Sequence, residues 1–311
     1  MSRPLRIEYP GAFYHIINRG LERREIFKSP KDYQYFLSLL DQMHLKYGLI
    51  VHSYCLMPNH YHLYAETPYA NLSKIMRQIN GIYTQTFNHR YHRAGPLMQG
   101  RYKAVVVDKD SYSLELSRYI HLNPVRAKIV EKPESYRWSS YASFIKKAKV
   151  PEFLNNKWLL SQFDKSSAKA IKSFKHFTLQ GLAQEWTPEK ESYQGFILGT
   201  SKFISHIQET YLRGKKDHEI PSLAKAQKQL SLNELQYYLE KLTQDTKMRK
   251  KLTAYALKRY SSLRLKEIGE ILGSPSYSAV AVMVSRLNKE AQKDKDIKRL
   301  LEKIEHYCRN V

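Results

Sequence analysis

Apolar and polar positions along the first 145 residues change period several times, and each change marks an element. Phe13 to Asn18 is a β-prone run closed by Arg19-Gly20. Ser29 and Pro30 then stand at the N-cap and first-turn positions of a helix: a serine hydroxyl accepts from an otherwise unpaired N–H, and proline has no N–H to lose. Tyr33, Phe36, Leu37, Leu40, Met43 and Leu45 follow at helical spacing until Gly48, a residue suited to the left-handed turn that ends a helix. Leu49 to Leu56 and His60 to Ala65 read as two strands folded about Pro58-Asn59. Asn71 opens a second helix carrying Leu72, Ile75, Met76, Ile79, Ile82, Tyr83 and Phe87, and Tyr102 to Val107 is β-branched and strand-like. A third helix opens at Asp108 or Asp110 and carries Leu114, Leu116, Tyr119 and Ile120. It is expected to weaken at Asn123, because Pro124 disfavours a helical residue before it.

The resulting order, β-α-β-β-α-β-α, predicts an α+β domain of ferredoxin-like type, with helices segregated onto one antiparallel sheet. The Lys-rich stretch Lys146 to Lys149 and Pro151 mark a linker or domain edge. They divide the 311 residues into a domain over 1–145 and a mainly helical region over 146–311. In the second region Thr253 to Tyr260, Leu263 to Leu272, the turn Gly273-Ser274-Pro275 and Tyr277 to Ala291 predict a helix-turn-helix at about 253–290.

Charge adds a partner to this picture. The net charge is +23, and it is not a tail: residues 1–150 hold 23 basic and 11 acidic side chains, leaving 29 and 18 for the rest. An acidic partner is required, and nucleic acid is the first candidate. The 24 Tyr and 11 Phe interleaved with the basic residues suit stacking on unpaired bases, although most such rings belong to a core. Two cysteines, Cys55 and Cys308, lie in no metal-ligand spacing, which excludes a disulfide framework and a zinc ribbon. The N-terminus Met1-Ser2-Arg3-Pro4 lacks an apolar export core, and no apolar run approaches the ~20 residues of a membrane span. A cytoplasmic, nucleoid-associated protein is expected, as a homodimer or a monomer.

His60 and His62 alternate along a strand, so both imidazoles leave the same sheet face and can share one metal ion, while Tyr61 points the other way. Such a pair is more often structural, and it gains meaning from a second segment. Tyr119 and Asn123 are four apart on the third helix, which brings a phenol and an amide oxygen to one face. His15, His121, His89 and His92 are further candidate ligands or phosphate contacts that nothing ties to the pair. Tyr83, Tyr112, Tyr136 and Tyr141 rival Tyr119 as nucleophiles on chemistry alone, and Trp138 reads as a core anchor.

The run Met57-Pro58-Asn59-His60-Tyr61-His62-Leu63, the segment Gln99-Gly100-Arg101-Tyr102-Lys103, residues Tyr119 to Ala127 and Tyr136-Arg137-Trp138-Ser139-Ser140-Tyr141 carry a specific likeness. Over roughly residues 5–145 the chain resembles REP-associated tyrosine transposases, single-tyrosine members of the HUH class. The resemblance implies metal ligation by His60 and His62, Asn123 as third ligand and Tyr119 as nucleophile. It also implies a metal-dependent endonuclease and strand-transferase acting on single-stranded, palindromic hairpin DNA through a covalent tyrosyl-DNA intermediate. Two imidazoles and an amide leave room for phosphate oxygen and water, which favours Mg²⁺ or Mn²⁺ over a closed zinc site. Arg101, Lys103 and Arg126 are candidate DNA backbone contacts. The rival readings are a relaxase or rolling-circle initiator, and a DNA-binding regulator with a silent centre. In the C-terminal region, Glu267 to Gly273 with Ser278-Ala279-Val280 resembles the DNA-binding end of bacterial replication initiator proteins. Those proteins carry an acidic residue and a histidine where this chain has Ser276 and Tyr277, so their base reading does not carry over. Ser276, Tyr277, Ser278, Ser285 and Arg286 are the candidate contacts there.

Overall fold

A computed structural model describes residues 6–145, 150–212, 231–261, 263, 265–273 and 277–310. The expected linker over Lys146 to Lys149 lies outside the described residues, as do Ser274, Pro275 and Ser276 of the C-terminal turn. The chain forms two compact units: Arg6–Glu191 with Gly195–Leu198, and Ser192–Gln194 with Gly199 onward.

In the first unit the order begins β1 (Ala12–Arg19), α1 (Pro30–Tyr47), β2 (Ile50–Met57), β3 (His60–Thr67), α2 (Leu72–Arg90), β4 (Lys103–Val107) and α3 (Lys109–Arg126). This is the order that the hydrophobic pattern predicts. The sheet runs β2-β3-β1-β4-β5, with β1 antiparallel to both β3 and β4. It is mixed rather than wholly antiparallel, because β5 (Ile197–Leu198) pairs parallel to β4. Two residues are too short a run for alternation to announce a strand.

Side-chain alternation gives each sheet face its own cover. On one face Phe36 of α1 packs against Tyr61 of β3 and Tyr83 of α2, with ring centroids 4.8 and 5.2 Å apart. On the other, Leu116 and Ile120 of α3 join Phe13, Cys55, Met57, Tyr64, Val105 and Val107 in one buried cluster. Helices therefore cover both faces, not one. Residues beyond 150 complete that second layer, with Leu159 and Phe174 fully buried in the same cluster. The free edge of β2 is taken by two chain segments: Leu56 N–H donates to Trp138 O at 2.9 Å, and Val51 N–H to Phe153 O at 2.8 Å. Trp138 stacks flat on Tyr33 at 4.3 Å, as a core anchor does.

Two helix starts differ in how they are capped. At α1 the capping box is complete, with Ser29 as N-cap and Asp32 answering back, and Gly48 ends the helix at φ 71°. Leu45 in that helix is solvent-exposed, whereas Leu39 is fully buried. At α2, Asn71 occupies the N-cap position but its amide donates to Tyr47 O at 3.0 Å. Glu8 accepts from Ser73 N–H instead, at 3.0 Å. Helix α3 continues through Pro124 to Arg126 instead of weakening at Asn123. Proline removes one donor only, and Ala127 N–H still closes the last turn on Asn123 O at 2.9 Å.

The second unit is helical over the described residues, with a core of Leu235, Leu239, Leu252, Tyr255, Leu257, Ile268, Val280, Val284, Leu287 and Ile304. Its helices include Thr246–Tyr260, Leu265–Ile271 and Tyr277–Lys293. No helix of the described residues is long and apolar enough to cross a membrane, and both cysteines are buried thiols.

Asp32 joins the start of α1 to the end of α2. It accepts from the N–H of Lys28 and Ser29 at 2.9 Å each and from the Tyr91 hydroxyl at 2.7 Å, and it pairs with Arg90. Burial works to raise its pKa, yet the hydrogen bonds from Tyr91, the two backbone N–H groups and Arg90 outweigh that and hold it below the usual carboxylate value. Asp32→Ala is expected to cost about 3 kcal/mol, since it strips a buried acceptor from several donors at once. Because the folded-state pKa is depressed, this contribution is present above the unfolded-state value of about 4 and fades as pH falls below it. Urea denaturation of both proteins at neutral and acid pH checks this: the stability gap should close in acid, and a gap independent of pH would refute the assignment.

Candidate active site at the histidine pair and Tyr119

The site begins with strand register. Across the sheet, Lys103, Ile17, His62 and Cys55 stand in one row, and Arg19, His60 and Met57 in the next toward the β2–β3 turn. Opposed residues share a face, so both histidines lie on the side that α3 covers and Tyr61 lies on the side of α1 and α2. Gly20 ends β1 beside this row, where a Cβ would overlap the Arg24 carbonyl, so the chain turns away from Arg19 at the site's rim.

His62 is buried and its ring sits edge-to-face with that of His60, centroids 5.0 Å apart. Each ring has one nitrogen engaged by a neighbour: His60 Nδ1 is 2.6 Å from Asn59 Oδ1, and His62 Nδ1 is 3.0 Å from His15 Nε2. Burial, followed by the nearby Arg19 cation, lowers His60 to about 4. Burial, then His15 and His60, takes His62 well below its usual value. Both are neutral at physiological pH, the form that binds metals. Among the described residues no three His, Cys, Asp or Glu side chains converge on a metal position.

Helix α3 brings Tyr119 to the pair, with its ring edge-on to His62 at 5.7 Å and to His15 at 6.1 Å. Asn123, one turn on, donates from Nδ2 to the Tyr119 carbonyl at 2.9 Å, which leaves its amide oxygen as the atom able to ligate. On the outer side, Trp186 meets the Tyr119 ring edge-on at 5.9 Å and the Arg126 guanidinium lies 5.4 Å from its centroid. Burial pushes the Tyr119 phenol up to about 12. Glu189 adds to the rise, while Arg126 and Asn123 oppose it.

The other sequence candidates fall in distinct places. Lys103 is exposed and shares the His62 row, and Arg101 is exposed just before β4. Arg126 donates to the carbonyls of Trp186, Gly181 and Gln184 at 3.3, 3.2 and 3.1 Å, so it clamps segment 181–186 over α3. Gly181 permits that approach, because a Cβ there would lie 2.6 Å from the Arg118 side chain. His121 is buried against Ser140 Oγ at 2.8 Å, away from the pair, and His89 and His92 are exposed. The rival tyrosines are held in structure: Tyr136 donates to Leu56 O and Tyr83 to Ile26 O, Tyr141 packs on His121 and Phe174, and Tyr112 is half-buried against the core cluster under α3. In the second unit Ser278, Ser285 and Arg286 are exposed on Tyr277–Lys293, whereas Ser276 and the side chain of Tyr277 lie outside what the structure describes. Sequence reasoning did not attach His15, Arg19, Trp186 or Glu189 to the site. His15 and Arg19 share the parity of the β1 face, but only the pairing register sets them beside the histidines.

Residues 9–123 match the family model described as "Transposase IS200 like". No curated protein matches the chain. A solved structure described as "Structure of the REP associates tyrosine transposase bound to a REP hairpin" is similar at 18% identity and TM-score 0.41, over 49% of this chain and 89% of that one. Residues 9–123, which include the histidine pair, Tyr119 and Asn123, are a domain of the IS200-like transposase family, DNA endonucleases whose nucleophile is a tyrosine.

Proposed function

We propose that this protein cuts and rejoins single-stranded DNA beside a palindromic hairpin, with Tyr119 as nucleophile and His60, His62 and Asn123 holding Mg²⁺ or Mn²⁺. The observation that carries the reading is the edge-on seat of Tyr119 against His62, 5.7 Å between centroids, on a face where both imidazoles are neutral. The donor set fits such a metal: two neutral imidazoles, each with its other ring nitrogen already engaged, and an amide oxygen. Bound there, a divalent ion would polarise the scissile phosphate and orient it for attack.

The protein's own groups account for the rest. The Tyr119 oxygen forms a bond to phosphorus as the bond to the leaving oxygen breaks. The phenolic proton departs, the leaving strand ends in a free hydroxyl, and the other end stays on the enzyme as a tyrosyl phosphodiester. That linkage keeps the energy of the broken backbone bond, so a new strand end can reverse the step without ATP. Trp186 and segment 181–186 wall the phenol off from water on the outer side, and Arg126 beside the ring favours the charge that develops on its oxygen. Lys103, exposed in the His62 row, and Arg101, exposed just before β4, are read as contacts for a DNA backbone. The hairpin preference rests on the likeness of Met57 to Leu63 and Tyr119 to Ala127 to REP-associated transposases. A stem offers shape, and its unpaired flank offers base edges.

Tyr119→Phe should abolish the covalent protein-DNA complex formed with a labelled hairpin and Mn²⁺, and leave hairpin affinity within a few-fold because no charge is lost. A covalent complex in that variant would move the nucleophile elsewhere and sink the proposal.

Since the phenol is pushed up to about 12, it is protonated at neutral pH. The ionised fraction grows about tenfold per pH unit below that value, so single-turnover cleavage is expected to climb with pH from about 6 to about 9 with a log slope near one. A flat profile would show that ionisation of this phenol does not limit the step.

The second unit is read as an additional DNA contact through the exposed side of Tyr277–Lys293, with Leu265–Ile271 as the preceding helix of a helix-turn-helix. Arg286→Ala should then weaken hairpin binding and make its log–log salt dependence shallower by about one counterion. An unchanged slope would leave that helix a packing element.

A further inference from the structure

The imidazoles of His60 and His62 are each gripped through Nδ1, but by partners of different kinds. Asn59 is fixed by its own Nδ2, which donates to Arg23 O at 3.2 Å, so the atom 2.6 Å from His60 is its carbonyl oxygen. An amide oxygen only accepts; His60 therefore carries its proton on Nδ1 and keeps a bare lone pair on Nε2. For His62 the partner is another imidazole, which donates or accepts according to its own tautomer.

We propose that His15 is a positioning residue for His62: its Nε2 accepts the Nδ1–H of His62 and so holds the His62 lone pair on Nε2, where a metal is bound. The inference rests on reading His60 and His62 as metal ligands.

Three observations support it. His15 is fully buried on β1, a strand paired on both sides, so its ring is placed by the sheet and not by a loop. The two rings lie nearly parallel, 15° between planes at 5.2 Å, with the nitrogens 3.0 Å apart. Finally, among the described residues the His15 side chain hydrogen-bonds to His62 through Nε2, and its Nδ1 has no partner. A fully buried polar ring with half of its hydrogen-bonding capacity unmet is costly where an aliphatic side chain would pack. Its presence is accounted for if the remaining bond serves His62. A metal-bound histidine ordinarily donates its second N–H to an acceptor that sets tautomer and ring orientation, and here that acceptor is His15.

Mn²⁺ affinity, measured by titration calorimetry on the full chain without DNA, tests this without relying on cleavage. His15→Leu removes the acceptor and is expected to weaken Mn²⁺ binding about 10- to 100-fold. His15→Gln, whose amide oxygen can take the same hydrogen bond, should recover most of the loss. Melting of the metal-free proteins reports whether each variant is folded, and His15→Phe, which keeps a ring against His62 and Tyr119, replaces the leucine variant if that one is not. Wild-type affinity in the leucine or phenylalanine variant overturns the proposal, as does a glutamine variant no tighter than the leucine one. A wild-type protein that binds Mn²⁺ no better than the double variant His60→Ala, His62→Ala would instead overturn the metal reading beneath it.

Discussion

β1 is hydrogen-bonded on both sides, to β3 and to β4, and the register of those two ladders decides which side chains meet beneath α3. The pairing of Ile17 with His62 on one side and Lys103 on the other sets the histidine row. The pairing of Arg19 with His60 sets the row next to it. A slip of one residue would turn each histidine toward α1 and α2 and put Tyr61 under Tyr119. The apolar sets resist such a slip. Tyr14, Ile16, Tyr61 and Leu63 are buried on one side, and Phe13, Tyr64, Val105 and Val107 on the other, so a changed register would expose or overpack both layers.

Helix α3 depends on that register in turn. Leu116 and Ile120 anchor it to the sheet, which aims Tyr119 at the histidine row, and Arg126 ties the next segment across it through three carbonyls. The outcome is a Tyr119 ring packed on both sides, by His62 within and by Trp186 and Arg126 without. Shielding has two chemical consequences of opposite sign: it raises the phenol to about 12 and so lowers the resting fraction of phenolate, yet in the proposed reaction it would keep out water that competes for the phosphotyrosyl bond. Arg126, and the metal of the proposed site, act on the first without undoing the second.

The same low-dielectric setting explains the state of the histidines. Three imidazoles packed together without carboxylates cannot be charged at neutral pH, so His15, His60 and His62 are kept as neutral donors and acceptors. In the proposed site, neutral nitrogen and amide ligands would leave the positive charge of a bound cation uncompensated by protein carboxylate, available to a phosphate. The exposed Arg19 and Lys103, in the same two rows as the histidines, would act in the same sense.

Periodicity alone carried the seven-element order of the first 126 residues, the faces of α1 and α2, and the shared face of His60 and His62, because these follow from local spacing of 2 and 3.6 residues. It also carried the Ser29 cap and the Gly48 stop, which are chosen by chain neighbours. What the sequence could not determine were the long-range choices. Glu8 takes the N–H at the start of α2 that Asn71 leaves, and β5 closes the sheet with two residues from position 197. Pro124 is carried inside α3 because tertiary contacts on Leu122 and Arg126 hold the turn that proline weakens. His15 and Trp186 reach Tyr119 from 104 and 67 positions away. Sequence spacing determines which side chains share one element's face; which faces meet is decided by burying them together, and for His15, Tyr119 and the histidine pair only the folded sheet under α3 makes that decision.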